Sequence, residues 1–236
     1  CPNKSLTFIG NGTISVTGQE WNAYSHTLTL RGKNIKIEWI GGTGSWLMMA
    51  LSGTINVEDG ATLKFEFNST TTSATNALYM NSGAELNVKN GSSVEFIGHQ
   101  TAAHDGQAIQ LDQTGKATIN VTGNSTFLIN GTNRGYVNSP TIYVEDSKFT
   151  VQNCTSNGSN GGEFTAINST ITYQNNNGHG LSAGNVTIKN STVDCNNNAY
   201  YGLTYSGDMT MDSTSKINAN GNGYGYTGGG LRAYGT

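Results

Sequence analysis

The chain has 236 residues and a mass of 24.9 kDa, and its 12 Lys and Arg against 15 Asp and Glu give a net charge of −3. This balance offers no basic surface for nucleic acid and no polybasic segment for a membrane surface. No run of about 18 apolar residues is present, which excludes a transmembrane helix. With charged residues at only 11%, the composition would indicate disorder if it lacked a pattern.

The N-terminal segment, residues 1–46, has short alternating strands that do not follow the repeat found later in the chain. It is also rich in large aromatic residues, with Trp21, Trp39 and Trp46. An open end of a repeat protein exposes core and unpaired backbone, so atypical bulky sequence there indicates a cap. We therefore predict an N-terminal cap over residues 1–46, with a sugar-stacking patch of tryptophans as the alternative. Cys1 is interpreted either as a lipid-modified residue left by lipoprotein processing or as a fragment boundary.

The remaining residues, 47–236, are organised by a phrase in which apolar and polar residues alternate on both sides of a short turn. Five later copies of this phrase begin 23, 22, 22 and 23 residues apart. Their first residues are Ile119, Ile142, Phe164, Val186 and Met209. A near-constant period built from two-residue alternation is typical of a β-solenoid. We predict one elongated domain over residues 47–236, continuing beyond the C-terminus in a longer parent protein.

Two earlier copies of the phrase are spaced by 31 and 33 residues, about nine more than the later copies. We expect the surplus to form loops that project from one corner of the solenoid. It falls in the polar stretches 68–76, 98–107 and 130–139. A third short apolar strand precedes most copies, which predicts three short strands per turn on three parallel sheets. These third strands begin at Leu47, Leu78, Ile109, Leu181, Leu203 and Leu231.

Asparagine runs at 175–177, 196–198 and 218–222 follow the second strand of three successive copies. Because equivalent side chains of a solenoid lie one above the other, we predict stacked asparagine ladders here. Cys195 is predicted to be a small core residue, stacked over the equivalent residue of the previous copy. Cys154 lies almost two turns away from Cys195, which is too far for a disulfide.

The phrase Ile-x-Val-x-Asp/Asn-Gly/Ser-x-x-Phe-x-Val with Asn-rich corners resembles the right-handed parallel β-helix of the pectate-lyase-like superfamily. Within it, the chain is most similar to the adhesive β-helix domains of microbial cell-surface proteins. The resemblance covers about residues 47–236 and implies an all-β, right-handed parallel β-helix with about 22–23 residues per coil. Its motifs specify a fold better than they specify an activity.

Residues 177–184, Asn-Gly-His-Gly-Leu-Ser-Ala-Gly, are similar to the Gly-His-Gly-Leu-Ser-x-Gly motif of polygalacturonases. In that family the histidine assists two adjacent aspartates, the general acid and base of an inverting hydrolysis. If the chain is an enzyme, this resemblance implies His179 and Glu163 as catalytic residues, although Gly-Gly-Glu stands where the family has its aspartate pair. The repeat offers a second interpretation, because His179 is at the position of the repeat that Tyr201 and Gly229 hold in later copies. Each of the three residues comes just before Gly-Leu. By that interpretation His179 is an exposed corner residue without a catalytic role.

A lyase of the pectate type would need clustered carboxylates for Ca²⁺ and an arginine to remove the proton α to a carboxylate. The three arginines of the chain fall in unrelated turns. A loop with His99, His104 and Asp105 has a spacing that is weak evidence for a metal site. We therefore predict no metal site and no resident cofactor, with Ca²⁺ as the ion that a lyase activity would add.

Five tyrosines are the candidate ligand-binding residues. Tyr143 should face outward from a strand. The other four lie in corner loops near the C-terminal end: Tyr200, Tyr201, Tyr224 and Tyr226. Aromatic rings beside Asn, Gly and Asp are typical of a shallow glycan site, where rings stack on sugars and amides bind hydroxyls. The alternative is that the tyrosines only cover the backbone of the loops.

Three functions remain open from the sequence. The first is a non-enzymatic, extracellular adhesin-type domain that binds glycans or a host or matrix surface through many weak contacts. The second is a polysaccharide-degrading enzyme, either a polygalacturonase-like hydrolase or a pectate-type lyase. The third is a passive surface stalk without a ligand. For the first function we expect a monomer at the cell surface, with no nucleic-acid partner.

Overall fold

The chain winds as an all-β, right-handed parallel β-helix, which confirms the predicted fold class. The computed structural model describes residues 5–17, 21–23, 26–40, 47–67, 76–98, 106–112, 116–224 and 228–234. Most coils pass through three faces of parallel strands. In the part of the chain that is described, no helix is long and apolar enough to cross a membrane.

The first face stacks one strand from each successive coil. Its strands are Thr54–Glu58 (β5), Glu85–Lys89 (β8), Thr118–Thr122 (β11), Thr141–Glu145 (β14), Glu163–Ile167 (β16), Val186–Lys189 (β19) and Met209–Met211 (β22). Ile119 lies beside Ile142, and Phe164 lies beside Val186. This register confirms the period of 22–23 residues per coil that the sequence predicts.

The second face follows a short turn after the first. Its strands are Thr62–Glu66 (β6), Ser93–Ile97 (β9), Thr126–Asn130 (β12), Lys148–Gln152 (β15), Thr170–Gln174 (β17), Thr192–Asp194 (β20) and Lys216–Asn218 (β23). The turns need left-handed backbone at a non-glycine residue, as at Asn168 (φ 51°) and Asn190 (φ 45°). Asn and Asp tolerate this conformation better than other side chains do, which explains their recurrence at this corner.

The third face completes the coil. Its strands are Trp21–Ala23 (β2), Leu47–Leu51 (β4), Asn76–Met80 (β7), Gln107–Leu111 (β10), Arg134–Val137 (β13), Leu181–Ala183 (β18), Leu203–Tyr205 (β21) and Leu231–Ala233 (β24). Between β13 and β18 a single bridge joins Tyr136 to Ser159. The three strands per turn expected from the sequence are therefore confirmed in most coils.

Two long strands begin the stack, Leu6–Thr17 (β1) and Thr27–Ile40 (β3). They pair in parallel along most of their length. The start of β3 pairs with β5 and its end pairs with β6, so β3 joins the first and second faces into one sheet. Both strands belong to the predicted cap, residues 1–46, and stack in the same order as the coils; the domain boundary stays a prediction.

The expectation that residues 130–139 form a projecting loop is wrong. They contain β13, whose Tyr136 lies beside Ile109 of β10 and turns inward, with 1% of its surface exposed. The sequence signal failed because Arg134-Gly135-Tyr136-Val137 lacks a clear alternation of apolar and polar residues. Of the other two expected loops, residues 68–75 and 99–105 lie outside the described part of the chain.

The core is a set of columns that run along the axis. Ile119, Ile142, Phe164 and Val186 are buried, and Met209 is partly buried in the last described coil of the first face. On the second face the column of Phe127, Phe149, Ile171 and Val193 is also buried, as predicted. The rings of Phe127 and Phe149 stack with centroids 4.6 Å apart and planes within 2° of parallel. Each buried side chain contributes about 1.5–3 kcal/mol by the area that it removes from water.

Buried serines form a ladder inside the corner between the first and second faces. The backbone N–H of Ser125 donates to Oγ of Ser147 at 3.1 Å, and the same bond links Ser147 to Ser169 and Ser169 to Ser191. Each hydroxyl in turn can donate to a carbonyl of its own coil, as Ser169 does to Ile167 at 2.7 Å. This serine ladder satisfies backbone groups that the tight turn would leave buried and unpaired.

Candidate functional site

The turns that lead from the second face to the third form the second corner, defined here as residues 153–158, 175–180, 196–202, 219–224 and 228–230. Its inner wall is the predicted asparagine ladder, which is confirmed. The backbone N–H of Asn176 donates to Oδ1 of Asn198 at 3.2 Å, and that of Asn198 donates to Oδ1 of Asn222 at 2.9 Å. Cys154 takes the same position one coil earlier, and its N–H donates to Oδ1 of Asn176 at 3.0 Å. The buried amides therefore fix the path of the corner from coil to coil.

His179 stands on the outside of this corner, between two glycines that packing requires. A Cβ on Gly178 would lie 2.1 Å from Oδ1 of Asn157, and a Cβ on Gly180 would lie 2.4 Å from the carbonyl oxygen of Gly202. Both distances are far below van der Waals contact. The Gly-His-Gly pattern thus has a steric explanation in the stacking of coils, independent of any chemistry at His179.

The aromatic column, which comprises His179, Tyr200, Tyr201, Arg232 and Tyr234, is the main feature of this surface. The rings of His179 and Tyr201 stack with centroids 5.7 Å apart and planes 6° from parallel. The ring centroid of Tyr200 lies 5.3 Å from that of His179. The guanidinium of Arg232 lies 5.0 Å from the ring centre of Tyr201 and 4.3 Å from that of Tyr234. One of its nitrogens also donates to the Tyr201 hydroxyl at 3.0 Å.

The order of the coils explains this stacking. His179 precedes β18, Tyr201 precedes β21, and Arg232 belongs to β24, so the three side chains come from three successive levels of the helix. One ring face of Tyr201 is therefore covered by His179 and the other is approached by Arg232. The Tyr201 ring thus lies between His179 and Arg232, and its hydroxyl accepts the hydrogen bond from Arg232.

His179 is electrostatically disfavoured as a cation in this position. Burial lowers the pKa of its imidazole, and the neighbouring charge of Arg232 lowers that pKa further. Its Nδ1 atom is buried and has no hydrogen-bond partner among the described residues. At neutral pH the imidazole is therefore uncharged, and Arg232 supplies the positive charge of the column.

The other predicted ligand-binding tyrosines are divided between two surfaces. Tyr224 lies in the second corner and is 65% exposed. Tyr143 lies on the outside of the first face, in register with Asn120 and Thr165. Partial burial raises the pKa of its hydroxyl, and a hydrogen bond with Glu145 raises that pKa further. Tyr226 lies outside the described residues. The structure thus brings Tyr200 and Tyr201 together, with Tyr224 at the same corner, and leaves Tyr143 apart.

Glu163 and His179, the catalytic candidates of the enzyme hypothesis, stand at opposite ends of the third face. Glu163 begins β16, and its equivalent one coil later is Asn185, because Phe164 lies beside Val186. His179 precedes β18 and Asn185 follows it, and the three residues of that strand alone span about 10 Å. Glu163 lines a shallow cavity of about 230 Å³ in which the other described charged residue is Lys116. A second carboxylate, which a glycoside hydrolase needs, is not among its described lining residues.

Metal-binding groups are not assembled in the described part of the chain, where no three His, Cys, Asp or Glu side chains lie close enough to hold an ion. The loop candidates His99, His104 and Asp105 lie outside the described residues, as does Cys1. The side chains of the three tryptophans, Trp21, Trp39 and Trp46, are also outside the described part of the structure.

Sequence reasoning missed Arg232 and Tyr234 as members of the site. A signal was present, because Arg232 is the middle residue of the predicted strand Leu231-Arg232-Ala233 and should therefore point away from the core. What the sequence did not reveal is that this outward position lies next to Tyr201, 31 residues earlier.

Comparisons with protein-family models, with curated proteins and with solved structures found no match to this chain.

Proposed function

We propose that this chain is a carbohydrate-binding β-helix domain of a cell-surface protein, of the adhesin type and with the pectate-lyase-like architecture that its repeat resembles. The observation that carries the proposal is the aromatic column at the second corner, in which the half-buried His179, Tyr200 and Tyr201 lie beside the exposed Arg232 and Tyr234. Rings combined with polar groups are the usual means by which proteins hold sugars in shallow sites.

The surroundings of the column supply the polar part of such a site. Asn175 and Asn197 are exposed on adjacent coils of the same corner and hold left-handed backbone with φ of 56° each. Successive coils repeat at about 4.8 Å, so similar amides recur along the axis at regular intervals. An extended glycan lying along the corner would meet several such groups, and weak contacts at each would add up.

The column also limits how a sugar can bind. Because His179 stacks on the ring of Tyr201 and Arg232 lies over it, that ring is not offered to a sugar. Tyr224 and Tyr234, which are 65% and 43% exposed, are the rings with surface to stack on a sugar. We therefore infer that sugar stacking involves the rings of Tyr224 and Tyr234 and that hydrogen bonding occurs along the asparagines of the corner.

A glycan array with purified protein tests the proposal, using Tyr234→Ala as the site variant in the aromatic column and Tyr143→Ala as the matched control on the first face. We expect the wild-type domain to bind one class of glycans and Tyr234→Ala to weaken that binding about 2-fold to 13-fold, since an aromatic contact contributes about 0.5–1.5 kcal/mol. Tyr143→Ala should bind as the wild type does. Absence of binding across the array would contradict the proposal and favour the passive stalk, and loss with Tyr143→Ala alone would move the site to the first face.

The enzyme hypothesis is tested in the same buffers by assays for reducing ends and unsaturated products, with and without Ca²⁺. No observation favours it, because Glu163 and His179 are separated by the width of the third face. We expect no product from the wild-type domain. Product that disappears in Glu163→Gln or His179→Ala would overturn the binding-domain proposal.

The same proposal places the domain outside the cell as a monomer without a resident cofactor. The contacts of the aromatic column all lie within one chain. Light scattering on the purified domain should give a mass near 24.9 kDa. A stable dimer would show that the binding surface has to be considered in an assembly.

A further inference from the structure

We propose that Arg232 makes the second corner selective for glycans that carry an anionic group, a carboxylate or a sulfate. This inference rests on the proposed function, since it names the class of ligand for the same site. It goes further because it assigns the selectivity to one side chain. In the sequence, Arg232 was only one of three arginines in unrelated turns.

Arg232 is held in place by groups that orient it without neutralising it. Tyr201 and Tyr234 flank its guanidinium at 5.0 and 4.3 Å, and its contact with the Tyr201 hydroxyl at 3.0 Å uses one donor. A guanidinium has five N–H donors in a planar fork, so donors remain for an incoming oxyanion. Among the described residues Arg232 takes part in no ion pair, whereas Arg31 pairs with Glu58.

Among the described residues, the second corner contains no acidic side chain beside Arg232. No Asp or Glu occurs in 164–193, 195–207 or 213–236, the segments that supply the described coils around Arg232. The carboxylates of the C-terminal part sit elsewhere: Glu163 and Asp208 beside the first face, Asp212 in the corner between the first and second faces, and Asp194 on the second face. His179 is uncharged at neutral pH for the reasons given above. The positive charge at this corner therefore comes from the guanidinium of Arg232.

An anionic sugar would use both features of the site at once. Its carboxylate or sulfate would accept hydrogen bonds from the free edge of the guanidinium, while its ring would lie beside Tyr234 or Tyr224. Hydrogen bonds to a charged group contribute more than neutral ones do, although exposure to solvent reduces the gain. A neutral sugar would gain only the stacking and the amide contacts. We therefore expect a preference for the anionic form of about tenfold.

The test compares two matched pairs of polymers at about 0.15 M salt, where long-range attraction between charges is screened beyond about 8 Å. One pair is alginate and its carboxyl-reduced form, and the other is dextran sulfate and dextran. Affinities are measured for the wild type, Arg232→Gln, Arg232→Lys and Lys216→Gln. The last variant removes an equal charge from the same coil but from the second face, and circular dichroism and thermal melts establish that each variant is folded.

The proposal expects the wild type and Lys216→Gln to bind the anionic member of at least one pair about tenfold more tightly than its neutral partner. Arg232→Gln should bind both members equally, and Arg232→Lys should recover part of the preference, since lysine keeps the charge and loses the planar fork. The pair that shows the preference identifies the group as carboxylate or sulfate. Equal losses in Lys216→Gln and Arg232→Gln would overturn the assignment to Arg232.

The outcomes also separate this inference from the proposed function. If the wild type binds the neutral members as tightly as the anionic ones, the selectivity is wrong and the carbohydrate-binding function stands. If it binds none of the four polymers and none of the glycans of the array, both are wrong.

Discussion

Oδ1 of Asn198 accepts two hydrogen bonds from Asn176, one from its backbone N–H at 3.2 Å and one from its Nδ2 at 2.9 Å. Asn222 accepts the same two bonds from Asn198, at 2.9 and 3.1 Å. Each carboxamide therefore serves as an acceptor for the preceding coil. The Nδ2 of Asn198 also donates to the carbonyl of Tyr173 at 3.0 Å, which ties the ladder to the neighbouring strand.

Replacing Asn198 with alanine should destabilise the domain by about 3 kcal/mol or more. Asn176 would lose its acceptor, and each buried polar group left without a partner costs about 1–3 kcal/mol. Asn177→Ala, at an exposed neighbouring position, should change stability by less than about 0.5 kcal/mol. Chemical denaturation of the three proteins measures the difference. Similar stabilities for both variants would show that the ladder contributes little.

Gly180→Ala should be destabilising, and Gly229→Ala should be tolerated. A Cβ at Gly180 would lie 2.4 Å from the carbonyl oxygen of Gly202, whereas a Cβ at Gly229 would lie 3.8 Å from the Tyr201 ring, an ordinary contact. Overpacking of this kind costs about 1–3 kcal/mol. Thermal melts of the two variants give the comparison. If Gly180→Ala melted like the wild type, the steric explanation of the Gly-His-Gly pattern would fail.

Cys154 and Cys195 should be unreactive in the folded domain. Both side chains are buried and neither forms a disulfide. Burial raises the pKa of each thiol to about 12, so the reactive thiolate is nearly absent at pH 8. A thiol-specific reagent should label neither residue until denaturant unfolds the chain, after which both should react. Rapid labelling of the native protein at either position would contradict their placement in the core.

Stability should fall as the pH rises above about 9. Burial raises the pKa of Cys154, Cys195 and Tyr136 to about 12 in the folded state, from ordinary values of 9.0 for thiols and 10.0 for the phenol. These groups stay protonated when folded and lose protons when unfolded, so the stabilisation present below pH 9 is lost between about pH 9 and 12. Denaturant unfolding at a series of alkaline pH values measures this loss. A double variant, Cys154→Ala with Cys195→Ala, should show a shallower decline than the wild type.

Protonation of His179 should weaken the fold under mildly acidic conditions. Burial and Arg232 lower the pKa of His179 below 6.5, so the unfolded chain binds a proton more readily than the folded one. Stability due to this group is present above pH 6.5 and falls as the pH decreases through the interval below it. Melting temperatures of the wild type and His179→Gln between pH 7.5 and 5 should diverge in slope, with the variant less sensitive. Parallel curves would mean that His179 is not perturbed.

The period of the fold could be predicted from the sequence because inward residues such as Ile119 and Ile142 repeat at a fixed spacing with clear alternation. The asparagine ladder could be predicted for the same reason, since its members recur at the same place in each copy. The serine ladder could have been found too, because Ser125, Ser147, Ser169 and Ser191 are each 22 residues apart. It was missed because serine in a turn suggests an exposed residue, whereas here the hydroxyl is turned inward.

The sequence could not reveal features that depend on irregular coils. Tyr136 was assigned to a loop because its coil is longer than the later ones and its strand lacks alternation. In the structure its hydroxyl meets that of Tyr173 at 2.8 Å inside the core. Arg232 and Tyr201 belong to coils of different length, so no fixed spacing indicates their contact. Function depends on such exceptions to the repeat, which is why the candidate site was predicted less completely than the fold.

The serine ladder has a further consequence for the length of the molecule. Every bond in it runs in one direction, because the backbone N–H of each serine donates to the hydroxyl oxygen of the serine one coil later. Each inner coil therefore presents an acceptor to the coil before it and a donor to the coil after it. Excision of residues 168–189 would join Ile167 to Asn190-Ser191-Thr192, the same Asn-Ser-Thr triplet that follows Ile167 in the intact chain. The number of coils can thus change when a whole repeat is inserted or deleted. Each repeat gained or lost would change the length of the solenoid along its axis by about 4.8 Å and leave its cross-section unaltered.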